Sequence, residues 1–289
     1  MGFVFLSSVL WALLDFLRKK LVMTSEPHEV VLGLHLWQFP FFFLLALLPY
    51  LGVETQAVAL DFGLPRDWGT YWANAIPSVV LNVVANLMLL WGLRLADLGA
   101  GIPMLALVPV FSAILSWFWL GEVLELEQWF GVGLVVLGAL VLGVSSGKGR
   151  FSLERGVVLV MWVACLWSVT IVLDKVAVQV SSPLWHSGVI AVGITLGVWL
   201  CYWRSVLPLL AKGILSRHML LGAFIALLAQ WVQLIALELV AVAYLECGKR
   251  ALGAVVAVGL GGWFFAEGRL FFKFAMVLLM SLGLVLVLL

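Results

Sequence analysis

The sequence predicts an all-α polytopic membrane protein of ten transmembrane helices, arranged as two inverted five-helix repeats. Three observations predict it. Of the 289 residues, 65% are hydrophobic and only 11% are charged, less than half of the roughly one quarter that soluble domains carry. Apolar runs recur along the whole chain, and mean hydropathy is +1.19. The runs are roughly 20 residues long, as a helix rising ~1.5 Å per residue requires to cross ~30 Å of hydrocarbon. Finally, landmarks of the first half return in the second.

The first segment, MGFVFLSSVLWALLDFLRKK, carries its basic residues after the apolar stretch. A secretory signal has them before it, so this reads as a retained span. Hydropathy then places spans near residues 2–22, 30–51, 71–93, 98–120, 127–144, 156–176, 184–203, 218–240, 243–265 and 271–289. Barrel strands need only about ten residues and alternate in polarity, which these runs do not. Connections are short, the longest being Gly52–Thr70 and Arg204–Arg217, and the most polar is SSGKGRFSLER at Ser145–Arg155.

That polar stretch lies at the midpoint. On either side, LW-x6-RK at Leu10–Lys19 aligns with LW-x6-DK at Leu166–Lys175, and FSAILSWFWLGE at Phe111–Glu122 aligns with the segment ending at Glu267. The division is therefore residues 1–144, a linker at 145–155, and residues 156–289. Five helices per half is an odd number, so the second copy enters the membrane from the opposite face, an architecture that puts transporter sites at the repeat interface. Lys and Arg set the orientation. Arg18, Lys19, Lys20, Arg94, Lys148, Arg150, Arg155, Arg204, Lys212, Arg217, Arg269 and Lys273 follow odd-numbered spans, whereas only Arg66 and Lys175 follow even-numbered ones. The bias puts the first group in the cytoplasm and both termini outside.

Several function classes are excluded. The net charge of +1 and the lack of a basic cluster interleaved with aromatics argue against nucleic acid. Cys165, Cys201 and Cys247 all fall inside apolar spans, and their odd number and spacing suit neither a disulfide framework nor a metal site. GVGLVVLG at Gly131–Gly138 lies inside a span with no preceding strand and is no dinucleotide loop. No HExxH, GxSxG or CxxC occurs. No catalytic set, metal or cofactor is expected.

The ninth span is different. AYLECGKRALG at Ala243–Gly253 puts Glu246, Lys249 and Arg250 among hydrocarbon. Insertion scales place a central Lys, Arg or Asp at ~2.5 to 3.5 kcal/mol, roughly 8 to 10 kcal/mol for three such charges left alone in lipid. Glu246 precedes the bases by three and four residues, so on a helix it shares their face. One carboxylate neutralises one cation. Either the surplus faces a wet cavity and binds an anion, or Asp15 or Glu238 completes an internal cluster that fixes packing. Gly248 and Gly253 allow close helix approach or a local break. Further polar candidates recur at helical spacing: Asn82 with Asn86, Gln230 with Gln233, and His35 with Gln38. Trp11, Trp37, Trp167, Trp231 and Trp263 lie deep in their spans, and Tyr244 stands beside the charge cluster. Asp15 and His35 are titratable candidates for proton coupling, against the plainer reading that Asp15 forms a local ion pair with Arg18 or Lys19, three and four residues on. Glu122 and Glu267 read as structural turn residues, and Lys19 and Lys175 as pseudo-symmetric cations at the rim.

The LW-to-Lys element of spans one and six resembles the drug/metabolite transporter superfamily of EamA type. So does PVFSAILSWFWLGEVLELEQWFGVGLVVLGALVL at Pro109–Leu142, with its glycine-glutamate hinge. The resemblance covers essentially the whole chain and implies a secondary transporter with cytosolic termini, opposite to the loop-charge count. Where many members have a proline-containing entry to helix nine, this chain has ECGKRALG. Its Lys249-Arg250 pair resembles the phosphate-binding pair of nucleotide-sugar and sugar-phosphate translocators. The expectation is a multi-pass carrier in a bacterial plasma membrane, not an enzyme, moving a small organic anion by alternating access. Its expected ligands are Lys249, Arg250, Glu246, Tyr244, Asn82, Asn86, Gln230, Gln233, Trp167, Trp11 and His35. The alternatives are a flippase for a lipid-linked phosphate and, behind it, an intramembrane enzyme acting on a lipid headgroup.

Overall fold

The computed structural model describes residues 2–47, 63–95, 102–146, 155–212, 216–265 and 270–289, which are helical with no strand among them. The helices are α1 (Gly2–Val22), α2 (Pro27–Leu36), α3 (Phe39–Leu47), α4 (Trp68–Leu95), α5 (Val108–Leu120), α6 (Leu126–Ser146), α7 (Arg155–Gln179), α8 (Pro183–Lys212), α9 (Arg217–Leu239), α10 (Val242–Phe265) and α11 (Leu270–Leu288). Among the described residues, six segments are long and apolar enough to cross a bilayer: Pro27–Leu45, Trp68–Leu95, Arg155–Gln179, Pro183–Arg204, Arg217–Leu239 and Phe271–Leu288. Large side chains such as Phe118, Phe130 and Phe271 point outward, as they do when the surrounding solvent is lipid. The chain is an all-α polytopic membrane protein. Of the sequence landmarks, Lys148, Arg150, Glu267, Arg269, residues 52–62 of the Gly52–Thr70 connection and most of the polar linker lie outside the described residues.

Two spans depart from the expected continuous helix at prolines, and a third, α8, is kinked at Tyr202 (φ −125°, ψ 23°) and runs past its expected end to Lys212. The second span is broken between α2 and α3. Pro40 has no N–H to give the Leu36 carbonyl, and its ring crowds that carbonyl, so the ladder stops there. Gln38 repairs part of the break: its side-chain amide donates to Leu34 O at 2.8 Å and its backbone N–H to His35 O at 3.1 Å. The fourth span enters as a 3₁₀ turn, Ile102–Leu107, and becomes α-helical as α5. It ends at Gly121, whose φ of 69° is the left-handed cap that glycine adopts without a Cβ penalty.

The helices alternate in direction and define two ends. At one, Lys20 Nζ is 3.3 Å from His218 Nε2, Arg94 donates to Glu26 at 2.5 Å, and Lys19 donates to Leu93 O at 2.5 Å. At the other, the Arg66 amide donates to Val180 O at 2.7 Å. There Lys175 bonds Glu122 and Val240 O, while the Val242 amide donates to Glu122 Oε2 at 2.9 Å. Glu122 thereby ties the end of α5 to the start of α10. Lys19 holds the Leu93 carbonyl near the end of α4, and Lys175 holds the Val240 carbonyl just past the end of α9. One correction concerns the basic residues placed in loops: Arg18, Lys19, Lys20, Arg94, Arg155, Arg204, Arg217 and Lys273 lie within helices, mostly in terminal turns.

The packing has a regular pattern. Helix α1 packs on α9 and α10, as α7 packs on α4 and α5; α2 packs on α9, as α8 packs on α4. Helices α6 and α11 meet closely because glycines face each other. A Cβ added at Gly131 would lie 2.5 Å from Gly283 O, and one at Gly283 would lie 2.7 Å from Gly131 O.

Candidate functional site

Helix α10 runs without interruption through ECGKRALG, so Gly248 marks a close approach rather than a break. A Cβ there would sit 2.5 Å from Val4 Cγ1 of α1. This contact, together with α9 on the other side, encloses the charge cluster. Glu246, 1% exposed, accepts from both bases: Lys249 Nζ at 2.6 Å and Arg250 at 3.4 Å. Lys249 also donates to Gln233 Oε1 at 2.8 Å, which brings one of the predicted amides to the cluster.

Trp11 of α1 extends the site. Lys249 Nζ lies 5.4 Å from its ring centroid, and the Arg18 guanidinium lies 5.2 Å from the same centroid. Cation–π contacts of this kind contribute from about 0.5 to about 2 kcal/mol, more when desolvated. Arg18 is 3% exposed and donates to Asp15 at 3.2 Å and to Asn86 Oδ1 at 3.0 Å. Asp15 also lies within electrostatic reach of Lys249. Among the described residues, the cluster thus holds the carboxylates Asp15 and Glu246 against the cations Arg18, Lys249 and Arg250, and a positive charge remains. Its buried side-chain atoms without a hydrogen-bond partner, again among the described residues, are donors, Trp11 Nε1 and Arg250 Nε. Both lack an acceptor.

The remaining predicted residues divide. Trp167 of α7 lies 6.4 Å from Trp11 by ring centroids, at the same site. Asn86 joins it through Arg18. Asn82 is one turn further along α4, where its side-chain amide donates to Ser78 Oγ at 3.2 Å. Gln230 is half-buried a turn before Gln233. His35 Nδ1 sits 2.8 Å from Val31 O of its own helix. Tyr244 turns the other way, accepting from Gln128 of α6 at 2.7 Å. It lines a groove of about 200 Å³ with Val4, Phe5, Leu252, Leu284 and Leu288, which is apolar and bounded by α1, α10 and α11. Trp231 packs on Phe41, 6.3 Å between centroids, and the side chain of Trp263 lies outside the described residues.

Sequence reasoning treated Arg18 as a terminal basic residue paired with Asp15, and it did not single out Asp174, His186, Tyr71 or Ser78. The signal for Arg18 was present: it falls one helical turn after Asp15 and two after Trp11, on the same face. The other four come from three different helices, and only their packing brings them together.

A bundle of membrane-spanning helices that buries a net-positive cluster between α1, α4, α9 and α10 is the arrangement of a polytopic membrane transporter. Residues 1–144 match the EamA-like transporter family. The chain is 31% identical over 107 residues to the probable 4-amino-4-deoxy-L-arabinose-phosphoundecaprenol flippase subunit ArnE of Pseudomonas fluorescens, covering 36% of this chain and 94% of that one. It belongs to the EamA-like transporter family, within the drug/metabolite transporter superfamily. An uncharacterised protein of Methanocaldococcus jannaschii is 32% identical over 72 residues, a match spanning 25% of this chain and 53% of that protein. A solved crystal structure with 18% identity superposes with a TM-score of 0.68 over 97% of this chain and 94% of its own, a likeness of fold alone.

Proposed function

We propose that the protein is a secondary carrier for a small organic anion, a phosphate ester or a carboxylate, bound at the cluster of Lys249, Arg250 and Arg18, where Lys249 and Arg18 converge on Trp11. The observation that carries this reading is the excess of one buried cation beside two unpartnered donors. A neutral solute with an oxygen acceptor can satisfy the two donors but leaves the charge uncancelled, and a cationic one adds to it. An anion accepts from Arg250 Nε and Trp11 Nε1 and cancels the charge. Glu246 holds both bases in the empty state and exchanges partners when the anion arrives. Residues 1–144 and 156–289 act as the inverted repeats, rocking about the cluster to expose it to each face in turn. The basic end formed by Lys19, Lys20, Arg94 and Arg217 faces the cytoplasm of a bacterial plasma membrane.

A second reading, flipping of a lipid-linked phosphate, is favoured by the likeness to ArnE and by the apolar groove between α1, α10 and α11. It uses the same cations for the headgroup. The test is thermal stabilisation of purified protein by sugar phosphates, dicarboxylates and polyprenyl-phosphate sugars, followed by flux in proteoliposomes. Charged hydrogen bonds of about 1.5–3 kcal/mol each predict a ≥10-fold loss of affinity for Lys249→Gln with Arg250→Gln. Unchanged flux in that double variant would overturn the site. Stabilisation that requires the prenyl chain selects the second reading over the first.

A further inference from the structure

A second buried polar centre lies nearer the membrane face at which α4 begins. Asp174 of α7 is 3% exposed, and Ser78, His186 and Tyr71 beside it are fully buried. Ser78 Oγ donates to Asp174 Oδ1. His186 Nε2 lies 3.0 Å from the same carboxylate, and its Nδ1 lies 3.1 Å from the Tyr71 hydroxyl. Among the described residues no lysine or arginine joins them: Lys175, next in sequence, is held by Glu122 and Val240 O. On the same face, Arg66 and Asp67 are exposed residues of the segment entering α4.

The charge balance is specific. With neutral imidazole, His186 donates Nε2–H to Asp174 and accepts the Tyr71 O–H at Nδ1, so the centre carries one negative charge. Adding one proton at Nδ1 gives imidazolium, which donates to the Tyr71 oxygen while the phenol hydrogen turns away. No hydrogen bond to His186 or Asp174 is lost, and the centre becomes neutral. It is built to gain or lose one proton with a single O–H rotation.

The centre is also joined to the anion site. From Arg18, donors point one way along α4, through the helix backbone at Asn82: Arg18 donates to Asn86 Oδ1 at 3.0 Å and the Asn86 amide to the backbone carbonyl of Asn82 at 2.8 Å, while the Asn82 side-chain amide donates to Ser78 Oγ at 3.2 Å and Ser78 to Asp174. From Ser78 to Asn86 is about 12 Å at the helical rise. The chain starts on a cation and ends on an anion, so loss of the negative charge weakens its last link and releases Ser78 and Asn82.

We propose that Asp174 and His186 form a proton-binding site, and that its occupancy is coupled through Ser78, Asn82 and Asn86 to the site around Arg18 and Trp11. The coupling, though not the proton binding, rests on the carrier reading above.

Infrared difference spectra of the purified protein, scanned from about pH 5 to about pH 9 where imidazole sites commonly titrate, read the proton directly. Among the spectral changes, a carboxyl or imidazole band belonging to this centre is expected. It is absent in Asp174→Asn, altered in His186→Gln, and shifted in Ser78→Ala. A parent protein with no such band, or variants that reproduce the parent's, would overturn the proton site. Proteoliposomes with glucose 1-phosphate as the probe then test coupling. The parent accumulates it under an imposed pH gradient, whereas Asp174→Asn only exchanges it. Gradient-driven accumulation surviving in Asp174→Asn, or missing from a parent that exchanges the probe, overturns the coupling; no flux of any kind in the parent overturns the sugar-phosphate carrier reading and the coupling with it, while the proton site is decided by the infrared result.

Discussion

Removing the Glu246 carboxylate is the sharpest probe of the charge cluster. Glu246 is 1% exposed and is the acid that accepts from both Lys249 and Arg250, whose side chains are 11% and 15% exposed. In Glu246→Gln the shape is kept but the negative charge is gone. Lys249 keeps Gln233 and the Trp11 ring; Arg250 loses its ionic partner. Breaking a buried pair from one side costs about 3–5 kcal/mol, because the surviving charge stays desolvated. For a chain of this size that corresponds to a melting temperature lower by roughly 6–20 °C. The assay is thermal unfolding in detergent, followed by loss of the monodisperse peak in size-exclusion chromatography. The compensating variant Glu246→Gln with Lys249→Met restores the charge count and should recover most of the loss. A single variant that melts with the parent, or a double variant no better than the single, would refute the reasoning that one acid balances two buried bases.

Leucine at Gly131 should separate α6 from α11, since even a Cβ there would meet Gly283 O at 2.5 Å; a melting temperature equal to the parent's would show that the helices are not in that contact. Asp67 caps α4, accepting from the Thr70 hydroxyl at 2.5 Å and from the amides of Gly69 at 2.9 Å and Thr70 at 3.2 Å. The hydroxyl, then the amide bonds, hold its carboxyl below the ordinary value. Stabilisation from a depressed carboxylate is present above the unfolded-state value and is lost as pH falls through the folded-state value. Asp67→Ala should therefore melt below the parent at neutral pH, with the gap narrowing below about pH 4; a gap independent of pH would remove the carboxylate from the explanation.

Much of the architecture was legible in the chain. Apolar runs long enough for a bilayer place helices whatever their neighbours, because lipid offers the backbone no other partner and a helix satisfies its own groups. The observed helices follow most of the expected spans; two departures occur where proline removes a donor, at Pro40 and near Pro109, and a third is the kink of α8 at Tyr202. The charge cluster of the ninth span was equally visible, since spacing alone puts Glu246 on the face of Lys249 and Arg250.

The sequence by itself therefore determined the solvent, the helices and which helix carries the unusual charge, all consequences of forces acting within about one turn of chain. Tertiary structure decided who meets whom. Gln233 and Trp11 reached Lys249 while Tyr244 turned away to Gln128, and Asp174, His186, Tyr71 and Ser78 converged from α7, α8 and α4. Such meetings depend on the rotation of each helix about its axis. That rotation is set by where glycines such as Gly131, Gly248 and Gly283 let backbones close, and in a uniformly apolar span no periodicity records it.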